Sequence, residues 1–263
     1  MVRPPDDMPP PDQGRLRRAE EHLEEAVDHL VDRALDGAER RIGQATSHVP
    51  VNVRPKLRGW LHLGAVPLAL VLGTVALFLA PAGAVRWSVL VYLATTVLLF
   101  AVSATYHRRV WGPTWEGVLK RLDHSNIYLF IAGSYTPFAV ALLPGPSGKR
   151  LLTIVWSVAA LGIVFRVLWV RAPRWLYVAT YMALGWVAVA FLPDLWRAGG
   201  PAIVILIAAG GLLYSLGAVF YALKRPNPWP TWFGFHELFH AFTIAAYLTQ
   251  YVAVLLALRH TPT

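Results

Sequence analysis

The chain has 263 residues, of which 56% are hydrophobic and only 15% charged, with a net charge of +9. Soluble domains run nearer roughly 45–50% apolar and about 25% charged, so the composition argues against a water-soluble enzyme and against a disordered chain. The absence of cysteine removes disulfides, iron–sulfur clusters and thiolate zinc sites, so any transition metal here must be held by His, Asp or Glu.

Charge divides the chain in two. Residues 1–50 hold seven Lys/Arg and eleven Asp/Glu, for a net −4, while residues 51–263 hold seventeen Lys/Arg and four acids, for a net +13. The positive excess therefore sits in the apolar part, in short clusters between hydrophobic runs, as in membrane proteins. It is not a nucleic-acid footprint, and no nucleic-acid partner is expected.

In chain order, residues 1–14 form a Pro/Asp-rich tail expected to be disordered. Residues 15–50 are expected to be an acidic amphipathic helix and linker. Leu16, Ala19, Leu23, Ala26, Val27, Leu30, Ala34 and Leu35 recur at helical spacing, with Glu20, Glu21, Glu24 and Glu25 between them. Such a helix can lie on the membrane surface, meet a partner through 15–45, or stand as a solvated tail. No apolar core follows a basic start, so no signal peptide is expected.

Residues 51–263 are expected to form a seven-transmembrane helix bundle, an all-α integral membrane protein. A hydrocarbon core of about 30 Å needs about 20 apolar residues as a helix. Runs of that kind cover 60–80, 87–107, 125–143, 151–170, 175–193, 201–221 and 238–257, the fifth being the shortest. Trp60, Trp87, Trp175 and Trp232 lie near run ends, where interfacial aromatics gather. Eleven Lys/Arg fall on the side of the N-terminus and five on the other, which predicts a cytoplasmic N-terminus and an outside C-terminus in the cell membrane. Arg166, one turn inside the fourth run, is expected to snorkel.

With this topology three polar stretches converge at one depth. They are Ser103-Ala-Thr-Tyr-His107 ending the second run, Asp123-His-Ser125 opening the third, and His236-Glu-Leu-Phe-His240 opening the seventh. Ser103 and His107 are i,i+4, as are His236 and His240, so each pair shares a helix face. Two imidazoles one turn apart plus a third from a neighbouring helix match the ligand set of a catalytic zinc with one open position. Asp123 can serve as base for a water, and Ser103 can donate to a developing oxyanion. His62 and His124 are expected to be interfacial side chains, His124 turned about 100° from Asp123. Glu116 and Asp194 are expected in solvated loops. His236-Glu237-x-x-His240 is also the zincin pattern with Glu as base, so an intramembrane metalloprotease competes.

Together these residues resemble the hemolysin III family, which groups with the progestin and adipoQ receptors and, more distantly, the alkaline ceramidases. Leu57-Arg-Gly-Trp-Leu-His62, Gly133-Ser-Tyr-Thr-Pro137, Gly211-Leu-Leu-Tyr214 and Gly234-Phe-His-Glu-Leu-Phe-His240 extend the likeness across about residues 52–257. The resemblance implies Zn2+ held by His107, His236 and His240 near the cytoplasmic face, with Ser103 and Asp123 completing the site. It implies hydrolysis of a lipid amide or ester, with a membrane lipid or fatty-acyl substrate. The alternatives are a regulator of membrane lipid homeostasis with structural zinc, and a pore-forming hemolysin-like protein.

Overall fold

The computed structural model of the chain describes residues 55–260, together with Leu30, Arg33 and Gly37, which are helical. The expected tail 1–14 and the rest of the 15–50 segment lie outside the described residues. From residue 60 onward run α1 (Trp60–Leu79), α2 (Ala84–Arg108), α3 (Pro113–Leu142), α4 (Pro146–Leu168), α5 (Arg174–Gly185), a 3-10 segment (Trp186–Phe191), α6 (Leu192–Leu223) and α7 (Phe235–Leu258). Among the described residues there is no β-strand, only an isolated bridge between Trp229 and Phe233.

Five helical stretches among the described residues are long and apolar enough to cross a membrane: Trp60–Leu79, Ala84–Arg108, Pro146–Leu168, Arg174–Leu223 and Phe235–Leu258. The difference from seven apolar runs has two physical sources. First, α3 carries Ser125, Asn126, Ser134, Thr136 and Pro137, which dilute its hydropathy. It can afford them because it is the central helix, buried along much of its length from His124 to Leu142 and packed against α2, α4 and α7. Second, the 50-residue stretch Arg174–Leu223 covers both the fifth and sixth runs. Gly200, at φ 75° and ψ 179°, breaks it just ahead of Pro201.

The fifth run is irregular for a visible reason. The Tyr135 hydroxyl of α3 donates to Gly185 O at 2.5 Å and accepts from Ala188 N–H at 2.9 Å. A side chain inserted into the backbone ladder at this point accompanies the switch from α-helix to 3-10 helix. Two more expectations change. The third helix begins at Pro113, ten or so residues before the apolar run, because Pro fits the first helical turn and Glu116 suits a helix N-terminus. Asp123 therefore lies well inside a helix, not at its start. Glu116 and Asp194 both sit in first turns of helices; Asp194 accepts from Ser147 Oγ at 2.8 Å and pairs with Arg197 at 3.2 Å.

Arg166 does not reach outward. It is only 1% exposed, donating to Trp169 O at 3.2 Å, with its guanidinium 4.5 Å from the Tyr177 ring centroid. It closes the end of α4 from within.

Small residues bring the helices into contact, as is usual in membrane bundles. A Cβ on Gly162 of α4 would run into the ring of Tyr128 on α3, whose hydroxyl is held by Thr180 Oγ1 at 2.6 Å. Gly64 of α1 faces open space. Gly162→Ala should therefore cost about 1–3 kcal/mol of stability, the usual range for overpacking, while Gly64→Ala leaves the melting temperature in detergent unchanged. An unaltered melting curve for Gly162→Ala would contradict the close α3–α4 approach.

Candidate metal centre

The site forms at the end of the bundle where α2 stops and α7 starts. The start of α7 is held by a dense polar arrangement. Phe235 N–H donates to Asn227 Oδ1 at 2.9 Å, and Gly234 N–H donates to Glu237 Oε2 at 2.9 Å. The other oxygen of Glu237 accepts from Arg58 Nε. Just before α1, the N–H groups of Lys56 and Leu57 donate to Thr231 O and Trp232 O at 3.0 and 3.2 Å. Gly59 then takes φ 79°, and a Cβ there would press on Arg108 and His107. The segment leading into α1 is thus bound both to α7 and to the end of α2.

This arrangement turns the expected histidines toward one another. His236 Nε2 lies 3.1 Å from His107 Nε2. One ligand atom from each of His107, His236 and His240 falls within 4.8 Å of the others. Nitrogens bound tetrahedrally at about 2.0–2.1 Å sit about 3.3 Å apart, so the three rings need little adjustment to share one ion. His107 and His240 are buried, and among the described residues His240 Nδ1 has no hydrogen-bond partner. Three imidazoles without a thiolate suit a divalent transition metal.

The two other expected residues are beside them. Asp123 Oδ2 is 3.6 Å from His107 Nε2. Ser103, one turn deeper than His107 and buried, lines the same cavity wall as Asp123. All five expected residues therefore come together.

The structure also brings in residues that sequence reasoning set aside. His62 is not interfacial: it is 3% exposed and stacks flat on His240, with ring centroids 3.7 Å apart and planes 10° apart. Neither of its ring nitrogens has a partner among the described residues. Its signal was the position of His62 one turn into the first run, at the depth of the other three. His124 is also buried, with Nδ1 2.9 Å from Lys120 O and 3.6 Å from Asp123 Oδ2.

A cavity of about 140 Å³ opens beside the histidines and continues between the helices. His62, Ser103, Asp123, His236 and His240 line one end of it, and apolar side chains such as Ile131, Phe138 and Leu195 line the rest. Asp123 is the one carboxylate on its wall among the described residues.

The comparisons with known proteins show the family. A family model described as Haemolysin-III related matches residues 51–251. The chain is 34% identical over 160 residues to the Hemolysin-3 homolog of Bacillus subtilis (strain 168), covering 61% of this chain and 72% of the relative. It is 35% identical over 167 residues to Hemolysin-3 of Bacillus cereus, covering 63% and 72%. It is 30% identical over 194 residues to the Heptahelical transmembrane protein ADIPOR2 of Oryza sativa subsp. japonica, covering 65% and 82%.

Glu237 is fully buried, with both oxygens engaged by Arg58 and by the helix N-terminus. In H-E-x-x-H proteases the equivalent Glu must be free to take a proton, so its role here is structural. Glu237→Gln should lower stability by about 2–3 kcal/mol, since breaking such a pair leaves a charge without its partner. Thermal unfolding in detergent reads this directly. A Glu237→Gln protein that melts with the wild type but no longer cleaves a peptide substrate that the wild type cleaves would restore the metalloprotease alternative.

Proposed function

The chain belongs to the Haemolysin-III related family and is a multi-pass membrane protein, and within that family we propose that it is a zinc-dependent hydrolase of lipid amide or ester bonds. The observation that carries the reading is the continuity of one apolar cavity with a polar cluster at its end. An acyl chain fits the apolar length, and its carbonyl then lies among Ser103, Asp123 and the three histidines.

His107, His236 and His240 hold the ion in this reading. Bound there, zinc supplies Lewis acidity and lowers the pKa of water. Asp123 takes the proton from the attacking water as its oxygen bonds to the acyl carbon. It then returns that proton to the departing amine or alcohol as the carbon–nitrogen or carbon–oxygen bond breaks. Ser103 donates a hydrogen bond to the oxyanion that develops on the carbonyl oxygen. The cavity walls keep bulk water from the acyl chain and fix its position. His62, flat against His240, holds that ring in its plane.

Asp123→Ala and Ser103→Ala should retain about one zinc per chain by elemental analysis yet release fatty acid from ceramide-like and ester substrates at least about a hundredfold more slowly. His236→Ala should lose both metal and turnover. Zinc present in wild type without product from any acyl substrate would favour a structural ion and a regulatory protein. Turnover persisting in both the Asp123 and Ser103 variants would remove their assigned roles.

We further propose seven spans, with the N-terminus cytoplasmic and the C-terminus outside. The Lys/Arg distribution supports this, as does the word heptahelical in the name of the rice relative. The break at Gly200 supports it too, since it divides Arg174–Leu223 into two lengths that can run in opposite directions. The chain lacks cysteine, so single introduced thiols report topology cleanly. Lys149→Cys should react with an impermeant maleimide in intact cells, and Glu116→Cys only after permeabilisation. The reverse pattern would invert the orientation.

A further inference from the structure

The segment that leads into α1 alternates in direction. Arg58 turns inward to Glu237. Lys56 and Trp60, on either side of it in the chain, are exposed. Lys56 lies over the ring of Trp232, with Nζ 4.4 Å from the centroid. Trp60 carries Arg108, the last residue of α2, with the guanidinium carbon 4.2 Å from its centroid.

These four side chains share one stiff framework. Lys56 N–H and Leu57 N–H donate to Thr231 O and Trp232 O, which ties the α6–α7 connection to this segment. Within that connection Trp232 N–H donates to Trp229 O at 2.8 Å, and Trp229 bridges to Phe233. Trp60 N–H donates to Leu57 O at 3.0 Å, and the backbone at Gly59 approaches Arg108 closely. Long cationic side chains laid over rings in advance leave a ligand less ordering entropy to overcome.

Charge here is one-sided. Residues 55–60, 104–112 and 224–237 hold six Lys/Arg and one acid, Glu237, which is buried. Among the described residues neither Lys56 nor Arg108 meets a carboxylate. The surface therefore suits an anion.

The tryptophans select the kind of anion. Trp60, Trp229 and Trp232 are each at least half exposed. With 20 residues, α1 is about 30 Å long, so it crosses the hydrocarbon only with Trp60 at the interface. Indole rings gather at that level, among headgroups. Beyond Trp60, Gly64, Leu68, Val71 and Val75 follow at helical spacing, all exposed, and Gly64 faces open space. A lipid phosphate arrives at the depth of Trp60 with its acyl chains along this stripe. A soluble anion has nothing to place there.

We propose that Lys56, Trp60, Arg108 and Trp232 form a binding surface for the phosphate of an anionic phospholipid, whose acyl chains follow the exposed stripe of α1. The inference rests on the chain being a membrane protein and not on the hydrolase reading. Lipid held here bears on the segment whose Arg58 clamps Glu237, and so reinforces the start of α7.

The test is thermal unfolding of the full-length protein in detergent, titrated with phosphatidylglycerol or with phosphatidylcholine of the same acyl chains, which has no net charge. Wild type is compared with Lys56→Gln/Arg108→Gln and with Lys149→Gln/Arg150→Gln, which removes the same charge from exposed positions near the start of α4. Phosphatidylglycerol should raise the wild-type melting temperature at concentrations where phosphatidylcholine does not. Its half-maximal concentration should rise about thirtyfold in Lys56→Gln/Arg108→Gln, which loses two cations near a lipid surface, and stay within about twofold in Lys149→Gln/Arg150→Gln. Melting without added lipid reports whether each variant folds. Should Lys56→Gln/Arg108→Gln not fold, the two single variants replace it, each losing about fivefold. Glycerol 3-phosphate, an anion of the same chemistry without acyl chains, should leave the effect of phosphatidylglycerol intact. Equal responses to the two lipids, or an equal loss in both double variants, would overturn the site. Displacement by glycerol 3-phosphate would overturn the lipid in favour of a soluble anion.

Discussion

The clamp on Glu237 sets the rotation of α7, and the site depends on that rotation. Arg58 takes one carboxylate oxygen and Gly234 N–H the other, so Glu237 is held toward the start of α1. Neighbouring residues on a helix differ by about 100° in direction. With Glu237 fixed on one side, His236 is turned toward α2, and His240 follows it one turn later on the same face. A rotation of α7 by one residue would bring Glu237 toward His107 and carry His236 away. The polar arrangement at the mouth of the bundle thus determines which side chains meet inside it.

The same reasoning separates the two buried acids near the histidines. Glu237 has spent both oxygens on stronger demands, a guanidinium and a helix N-terminus. Asp123 has neither. Its neighbours at 3.6 Å are two imidazoles, with Ser103 on the same cavity wall. Two carboxylates at the same end of one bundle are in this way set apart by their surroundings, not by their residue type: one is engaged at both oxygens, the other lines the cavity.

Much of this was legible in the sequence. Apolar runs mark the helices because a low-dielectric exterior demands them, and i,i+4 spacing alone puts Ser103 with His107 and His236 with His240. What stayed hidden was whatever depends on which face of a helix is covered. Arg166 reads as a snorkelling cation because its position near a run end is visible, whereas the face of the next helix that brings Tyr177 against it is not. His62 reads as interfacial because its partner, His240, is on the last helix. The start of α3 is obscured because a hydropathy run begins where lipid contact begins, and the helix itself starts earlier, at Pro113. Glu237 was the most misleading residue, since a five-residue pattern carries no information about Arg58.

The polar residues of the core fall into two kinds. Ser134 and Thr136 of α3 donate to Ile131 O at 2.8 Å and Ala132 O at 2.9 Å, so they are satisfied by their own helix and need nothing from outside. Thr243 of α7 does the same with Phe239 O at 2.9 Å. Short hydroxyl side chains can turn back in this way. Tyr214, Gln250 and His62 cannot, because their polar atoms stand too far from their own backbone. All three line the cavity, as does Asp123, the one carboxylate on its wall among the described residues.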